Sequence, residues 1–416
     1  MHLGEIRHPD RVANGKPLDG VRILAAEQMQ ALPFATLLMA RLGADVVKVE
    51  HPLRGESGRA AQPTIIDAQG RTVGATYLRN NLNKRSIGID LKQTEGRELF
   101  KRLAANFDVV AENYRAGTMQ KFGLGYEELC ALDPRIIYLS ISGFGNQGDS
   151  PYADWPAYAP IAEAMSGLYE PTRESGQPPK VVPAGPLGDN GTALFAVIGT
   201  LAALRQREST GRGQYVDVAM YDSMIALADM VPFLWSMDEP VGHATAGTVG
   251  VVGAFRARDG YFVLAVFREH HFERLARTVG QPEWCDDLRF ATRVGWAQHT
   301  ESVVRPAIEA WARDKSKLEA ARILCEQGVA AGPSNAAPDL VADPHVRSHG
   351  MLVEVPRPDA DTPMLMVGNP VKLSAVSEGP ERTFPGLGEH TDSVLRDELG
   401  LAEPELARLR EHQVIS

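Results

Sequence analysis

The residue best placed to do chemistry is Asp189, which lies in the glycine-rich segment 183–191, Pro-Ala-Gly-Pro-Leu-Gly-Asp-Asn-Gly. Gly188 and Gly191 allow another molecule to approach the backbone closely, and an apolar helix is predicted from about Thr192 to Arg207. An acid at a helix start faces unpaired backbone N–H groups. The segment therefore predicts either a carboxylate aimed at a bound molecule or a structural N-cap, because Asp-Asn-Gly-Thr is also good capping chemistry.

Several common catalytic and cofactor motifs are missing from the sequence. Segment 27–33 joins the first predicted strand to its helix without Gly-x-Gly-x-x-Gly, which argues against a nicotinamide or flavin cofactor. The nominal match at 143–148 is followed by Asp-Ser-Pro where a helix should begin. No Gly-x-Ser-x-Gly occurs, which disfavours a serine hydrolase. The three cysteines are far apart and form no CxxC, so neither a disulfide framework nor a zinc or other metal site is indicated.

Composition narrows the class of protein further. The 416 residues are 44% hydrophobic and 23% charged, which is typical of a soluble globular chain with more than one core. The net charge of −10 argues against nucleic acid and anionic membranes as partners, because both require a cationic field. The N-terminus has no apolar leader, and we expect no apolar stretch long enough to span a bilayer. These features predict a cytoplasmic protein without a membrane partner.

The elements that must position Asp189 alternate between strands and helices. Strand 20–26, helix 33–42 and strand 45–50 form a β-α-β unit, with Pro33 suited to the first helical turn and Gly43 to the helix end. The alternation continues through further predicted elements, namely strand 86–91, helix 95–106, strand 108–112 and strand 135–142. This pattern predicts an α/β fold, a Rossmann-like, doubly wound and mostly parallel sheet.

A smaller α+β domain is predicted after the large one. The strand-like runs 251–258 and 261–267 flank Asp259-Gly260, a two-residue hairpin signal, and helices follow to about residue 327. Strand-like runs after residue 350 return to the first domain. The predicted division is therefore a large domain at 1–225, a small domain with linkers at 226–345 and a returning C-terminal segment at 346–416.

Eight short motifs occur in order from about residue 17 to the end of the chain. They are Pro-Leu-Asp-Gly-Val at 17–21, Leu-Gly-Ala-Asp-Val-Val-Lys-Val-Glu at 42–50, Asn-Lys-Arg-Ser-Ile at 83–87, Val-Ala-Glu-Asn-Tyr at 110–114, Ser-Ile-Ser-Gly-Phe-Gly at 140–145, Gly-Asp at 188–189, Thr-Gly-Arg-Gly-Gln-Tyr-Val-Asp at 210–217 and Leu-Gly-Glu-His-Thr at 387–391. Each motif is weak alone, but their order is specific. The chain resembles the class III CoA-transferases of the CaiB/BaiF type, which include formyl-CoA and carnitine CoA-transferases and the 2-methylacyl-CoA racemases.

This resemblance implies that Asp189 is a nucleophile, which attacks an acyl-CoA and then carries CoA as an aspartyl thioester. Fixed N–H donors near a desolvated carboxylate make such covalent catalysis feasible. The resemblance also implies that Gln30 is an active-site glutamine, although a polar residue at a helix start is the structural alternative. Further candidate donors are the backbone amides near Gly188 and Asn190.

The resemblance also assigns positions that bind coenzyme A, which serves as substrate and acyl carrier. The matching residues are His51, Lys84, Asn113, Tyr114 and Lys121. Several of them follow predicted strands, where open α/β sheets bind ligands. The family often has an arginine at the position of His51, and Arg54 is the candidate to supply that charge. For each residue, a solvated surface side chain is the alternative.

Transferases and racemases of this family differ at one position. Racemases carry a histidine about thirty residues before the aspartate as a second proton carrier, whereas this chain has Pro-Ala-Tyr-Ala at 156–159. The difference favours transfer over racemisation. Transferases commonly carry an acid at the position of Ala159, and Glu163 is a candidate substitute. Segment 243–253 is the nearest counterpart of the glycine-rich loop that covers the intermediate in some transferases.

We therefore expect a transferase that moves CoA from an acyl-CoA to a small carboxylic acid without a metal or redox cofactor. The resemblance implies an interlocked homodimer. Two alternatives stay open: a 2-methylacyl-CoA racemase-like enzyme and a non-catalytic homologue that binds CoA esters. Retention of Asp189 between glycines speaks against the second alternative. The sequence does not identify the acids.

Overall fold

The computed structural model describes residues 1–173, 176–181, 186–239, 241 and 249–416. The chain forms two compact units. The first unit comprises Met1–Leu168, Val181–Asp229 and Pro344–Ser416, and the second comprises Tyr169–Lys180 and Met230–Asp343. The predicted division into domains at 1–225, 226–345 and 346–416 stays a prediction.

The strands of the described residues are numbered in chain order. They are β1 (Arg22–Ala26), β2 (Asp45–Glu50), β3 (Thr64–Ile66), β4 (Thr72–Gly74), β5 (Arg85–Gly88), β6 (Val109–Glu112), β7 (Ile137–Ser142), β8 (Tyr215–Ala219), β9 (Val251–Ala257), β10 (Gly260–Val266), β11 (Ala330–Pro333), β12 (Leu352–Arg357) and β13 (Ala360–Val367).

The α-helices are numbered in the same way. They are α1 (Ala31–Arg41), α2 (Ala75–Asn80), α3 (Thr94–Ala104), α4 (Thr118–Lys121), α5 (Tyr126–Leu132), α6 (Ala159–Met165), α7 (Leu187–Thr210), α8 (Met220–Leu227), α9 (Met230–Ser236), α10 (Glu269–Thr278), α11 (Arg293–Gln298), α12 (Arg305–Ala312), α13 (Lys317–Glu326), α14 (Ala337–Ala342), α15 (Pro344–Ser348), α16 (Thr391–Leu399) and α17 (Glu403–Glu411). Shorter helical turns are of 3-10 type at Pro9–Asn14, Ser57–Ala60, Glu170–Thr172, Pro282–Cys285 and Leu288–Phe290 and of π type at Thr300–Val304.

The first unit is built on a six-stranded sheet with the order β5-β2-β1-β6-β7-β8. All five neighbouring pairs are parallel, which confirms the predicted Rossmann-like α/β fold. The strand order reverses direction at β1, with β2 on one side and β6 on the other. In open sheets of this kind, ligands bind beyond the carboxyl ends of the strands at the switch point. The carboxyl ends of β1, β2 and β6 therefore mark the expected site.

Both faces of this sheet are buried, as a doubly wound fold requires. Along β1, Leu24 and Ala26 belong to one apolar cluster, whereas Ile23 and Ala25 belong to another. Successive side chains of a strand point to opposite faces. Helices therefore cover the sheet on both sides, and near-continuous apolar strands such as β1 are the sequence pattern of this arrangement.

Helix α7 carries Asp189 and differs from its prediction. It begins at Leu187 and not at Thr192, so Asp189 lies within the first turn and Pro186 occupies the N-cap position. The structural N-cap interpretation of Asp189 is therefore wrong, and a proline without an N–H is tolerated at this helix start. Contrary to our expectation, α7 is long and apolar enough to cross a membrane by length and composition, but it packs here on α1, β7 and β8.

The second unit has its own sheet and core. Strands β9, β10 and β11 form an antiparallel sheet in the order β11-β10-β9. Gly260 pairs with Ala257, so the hairpin turn is residues 258–259 and not the predicted Asp259-Gly260. The core is rich in aromatic side chains, and Phe272 stacks on Trp296 with ring centroids 4.4 Å apart. These elements confirm the predicted smaller α+β region.

Candidate active site

Asp189 is positioned by a close contact between α6 and the start of α7. A Cβ on Gly188 would lie 2.9 Å from the Cα of Ala159, so only glycine allows this approach. The Gly188 N–H donates to Glu163 Oε1 over 2.8 Å. Glu163 is one helical turn beyond Ala159 and is buried. The structure thus places the carboxylate proposed as the substitute for an acid at Ala159 directly against the Asp189 turn.

The environment of Asp189 changes its acidity. Burial, and then the negative charge of Glu163, together raise the pKa of this carboxyl group from 3.8 to about 6, while the positive charge of Arg79 opposes the shift. A carboxylate with this pKa is still ionised at neutral pH. It is also less solvated and more basic than an ordinary aspartate, which suits a nucleophile.

Gln30, the residue that precedes α1, connects this turn to α2. Its Nε2 donates to Asn190 Oδ1 over 2.9 Å. Its Oε1 accepts from Arg79 Nη2 over 2.9 Å and from Asn80 Nδ2 over 2.8 Å. The side chain is only 7% exposed, and its second Nε2 hydrogen has no acceptor within the described part of the chain. Gln30 therefore holds one N–H available, and its amide contacts Asn190, the residue that follows Asp189.

The backbone amides expected to act as donors are engaged elsewhere. The Gly188 N–H is used by Glu163, and the Asn190 N–H donates to the Pro186 carbonyl over 2.9 Å. The reason is the early start of α7, which draws Asn190 into the helical hydrogen-bond pattern. Of the donors predicted from the sequence, the Gln30 side chain is the one that the structure leaves available.

The turn that presents Gln30 is held by two side chains from other segments. Met29 has a φ of 59°, in the left-handed region that a methionine rarely adopts. The Met29 N–H donates to Glu56 Oε2 over 2.9 Å. The Asn113 side-chain amide accepts from the Gln28 N–H and donates to the Gln28 carbonyl, each over 2.9 Å. Asn113 therefore positions the turn, and Glu56 is a second positioning residue that the sequence analysis missed.

A cavity of about 520 Å³ opens at the carboxyl ends of β1, β2 and β6, where the strand order reverses. Its lining includes Gln28, His51, Arg54, Lys92, Tyr114, Thr118 and Phe122. The structure thus brings the predicted His51 and Tyr114 together. Burial, and then the charge of Arg54, lowers the pKa of His51, so this imidazole is neutral at pH 7. Arg54 and Lys92 are the cations of the cavity.

The two lysines predicted to bind CoA, Lys84 and Lys121, lie in different surroundings. The Lys84 side chain is fully buried, and its ammonium group donates to Glu27 Oε1, the Pro33 carbonyl and Asn81 Oδ1 over 2.6, 2.9 and 3.0 Å. Because all three N–H groups are used, binding of a CoA phosphate by Lys84 does not fit this arrangement. Lys121 is exposed at the end of α4, whose first residue, Thr118, lines the cavity.

Lys84 belongs to a group of six buried charged side chains beneath the turn that presents Gln30. This buried charge cluster consists of Glu27, Glu50, Glu56, Lys48, Lys84 and Arg59. Lys48 lies 3.6 Å from Glu27 and 3.7 Å from Glu56, and Arg59 forms a two-pronged contact with Glu50 at 2.7 Å. Charged groups in β2, within an otherwise apolar strand, were the sequence signal for it.

The last predicted feature is the loop at 243–253. Residues 243–248 lie outside the described residues, and β9 begins at Val251. Its role as a cover stays a hypothesis.

With this fold and site, the chain matches the family model "CoA-transferase family III" over residues 18–391. The chain belongs to this family and is an enzyme of the class III CoA-transferase type.

Curated relatives of known activity cover nearly the whole chain. The succinyl-CoA:mesaconate CoA-transferase of Haloarcula hispanica is 37% identical, and the matched region covers 92% of this chain and 96% of the relative's chain. The succinyl-CoA–D-citramalate CoA-transferase of Chloroflexus aurantiacus is 36% identical over 96% of this chain and 98% of its own. The crystal structure of a CaiB/BaiF family protein from Brucella suis superposes with a TM-score of 0.79 and 32% identity, over 92% of this chain and 99% of that chain.

Proposed function

We propose that this enzyme transfers CoA from an acyl-CoA to a carboxylic acid and that Asp189 carries the CoA between them. The observation that carries the proposal is the juxtaposition of Asp189 with Gln30, fixed through Asn190 at 2.9 Å. A carboxylate of raised pKa beside an N–H donor can attack a thioester carbonyl while the donor stabilises the oxyanion that forms.

The first half of the reaction loads the enzyme. The Asp189 carboxylate attacks the acyl carbonyl of the donor, and the C–S bond breaks to leave a mixed anhydride and CoA thiolate. The thiolate then attacks the aspartyl carbonyl, which releases the donor acid as a carboxylate and leaves an aspartyl-CoA thioester. No net proton, electron or water is consumed.

The second half reverses this sequence with a different acid. The acceptor carboxylate attacks the aspartyl thioester and displaces CoA thiolate, which leaves a second mixed anhydride. The thiolate attacks the acceptor's acyl carbonyl, so the new acyl-CoA departs and Asp189 is regenerated. The Gln30 N–H serves each oxyanion in turn, because all four attacks take place at carbonyl groups next to Asp189.

The names of several relatives support a proposal for the substrate class. Their names specify succinyl-CoA with mesaconate, D-citramalate or glutarate, and each of these acids carries two carboxyl groups. We propose a dicarboxylic acyl-CoA as donor and a short dicarboxylic acid as acceptor. CoA itself is assigned to the cavity with His51, Arg54 and Tyr114, which lies at the switch point of the sheet.

We further propose a homodimer that acts in the cytoplasm, without a metal, nicotinamide, flavin, nucleic-acid or membrane partner. Sedimentation of the purified protein tests the dimer, and elemental and absorbance analysis tests the cofactors. Cell fractionation tests the location.

Mass spectrometry after incubation with a panel of acyl-CoA esters in deuterated water tests the reaction. We expect a CoA or acyl adduct on the peptide that contains Asp189 and its loss in Asp189→Ala. Deuterium at the α-carbon of the recovered thioester without an adduct would instead support a racemase-like enzyme. Tight CoA binding without either signal would indicate a non-catalytic homologue.

A further inference from the structure

Arg79, in the last turn of α2, carries an exposed guanidinium group close to the candidate active site. Its Nη2 donates to Gln30 Oε1 over 2.9 Å, and its positive charge acts on Asp189. Within the described residues, no carboxylate forms an ion pair with it. The Gln30 amide thus links Arg79, which contacts its oxygen, to Asn190, the residue after Asp189, which contacts its nitrogen.

Other arginines of this unit contrast with Arg79. Three of them are bound to carboxylates at 3.0 Å or less, namely Arg41 to Glu381, Arg59 to Glu50 and Arg85 to Asp45. A guanidinium has five N–H donors. Arg79 uses one of them on Gln30, so four remain for a ligand.

Orientation of Gln30 does not require Arg79. Asn80 Nδ2 donates to the same Gln30 oxygen over 2.8 Å and also to the Thr76 carbonyl over 2.9 Å. Asn80 is buried and belongs to the same helix. Because Asn80 already fixes the Gln30 amide, the exposed guanidinium group of Arg79 is available to bind a ligand.

An arginine in the last turn of a helix also interacts favourably with the helix dipole. That interaction is satisfied by any cation, and it does not explain why the guanidinium reaches toward Gln30. The planar, two-pronged geometry of arginine matches a carboxylate.

We propose that Arg79 binds the second carboxylate of a dicarboxylic substrate while the first carboxyl group reacts at Asp189. This inference rests on the proposed function and adds the residue that selects the acid. A monocarboxylic acid of the same length places a methyl group where the second carboxylate would be, which leaves Arg79 unpaired. A site that binds a polar group rejects the analogue without it, because its own polar groups then lose their partner.

Matched pairs of acids test this assignment. Inhibition constants of succinate against butyrate, and of glutarate against valerate, are measured in competition with the acyl-CoA donor, because an acid that is not turned over still competes. For Arg79→Met we expect the preference for the diacid to fall at least about tenfold, and for Arg79→Lys a smaller loss. Arg322→Met, a change at an exposed helical arginine of the second unit, serves as the matched control.

Two further measurements distinguish a wrong role for Arg79 from misfolding of the variant and from failure of the proposed function. Thermal melting of Arg79→Met should match that of the control, and the Asp189 adduct should still form from butyryl-CoA at a rate within about threefold of the wild type. An equal loss for diacid and monoacid would show that Arg79 acts on the chemistry, and no loss would make it a surface residue; either result overturns the inference. Failure of the wild type to form any Asp189 adduct would instead refute the proposed function.

Discussion

The side chain of Gln30 donates to Asn190 Oδ1 over 2.9 Å, across 160 residues of sequence. One residue precedes α1, and the other directly follows Asp189 in the first turn of α7. This bond therefore fixes the N–H donor relative to the carboxylate. The two helices also pack against each other along their lengths, so the bond is supported by rigid elements.

The acidity of Asp189 predicts the pH dependence of the reaction. Because the pKa of Asp189 is about 6 and the carboxylate must be ionised to attack, kcat/KM for the donor should fall tenfold per pH unit below this value. Glu163→Gln retains an acceptor for the Gly188 N–H but removes a negative charge. We expect this variant to move the acidic limb of the profile to lower pH, by roughly half a unit or more.

Steady-state profiles from pH 4.5 to 8 measure this shift, with Glu326→Gln, a change at an exposed residue of α13, as the control. An unchanged limb in Glu163→Gln would mean that the charge of Glu163 does not act on Asp189.

The raised pKa of Asp189 also predicts an effect on stability. The ionised carboxylate that catalysis requires should lower the free energy of unfolding. The folded protein holds the Asp189 proton more tightly than an unfolded chain, whose pKa is 3.8, so the ionised group destabilises the fold as the pH rises through about 6. Asp189→Asn should raise the free energy of unfolding by about 3 kcal/mol at pH 8, because each unit of the rise in pKa corresponds to about 1.4 kcal/mol. Urea unfolding at pH 8 and at pH 4.5 measures it, and the gain should shrink at the lower pH.

The hydrogen bonds of Asn113 predict which kinetic constant it controls. Its amide is occupied by both backbone groups of Gln28, so it supports the turn that presents Gln30. Asn113→Ala should therefore lower kcat by about tenfold or more, because a misplaced donor loses oxyanion stabilisation. The KM for the acyl-CoA should stay within about twofold. A raised KM at unchanged kcat would identify Asn113 as a CoA ligand instead.

Two lysines predicted for the same ligand should respond differently to the same substitution. Lys84→Met leaves its partner Glu27 buried with one cation fewer and should cost on the order of 3 to 5 kcal/mol of stability. Lys121→Met changes an exposed residue and should leave stability unaltered while it raises the KM for acyl-CoA several-fold. Denaturation curves and initial rates for both variants test this. The assignments would be reversed if Lys84→Met stayed stable and bound CoA weakly.

Much of the fold was predictable from the sequence, because its strands and helices follow from local patterns of apolar and polar residues. Strand β2 occupies the predicted residues 45–50, and the alternation of strands and helices was sufficient to predict a parallel sheet. The early start of α7 was missed, since Asp-Asn-Gly-Thr has strong capping character, whereas Leu187 and Gly188 continue the helix without a side-chain cap.

The site was less predictable because its partners come from distant segments. Nothing local to Arg79 or Glu56 indicates that they reach Gln30 and Met29, which requires knowledge of how α2 and the loop after β2 fold back. The surroundings of Lys84 were unpredictable for a related reason. It immediately precedes β5, and Arg85 faces Asp45 while Lys84 turns inward to Glu27. The sequence does not specify which of two adjacent cations is buried.

The buried charge cluster has a consequence for how such an enzyme diverges over evolutionary time. Each of its six members depends on at least one other for charge compensation, so a single substitution leaves a buried charge unmatched and selection removes it. The exposed end of α2 is not constrained by charge compensation in this way. Enzymes that share this buried charge cluster are therefore expected to keep the same reaction. Their preference for one acid over another is expected to change through substitutions at a few surface positions.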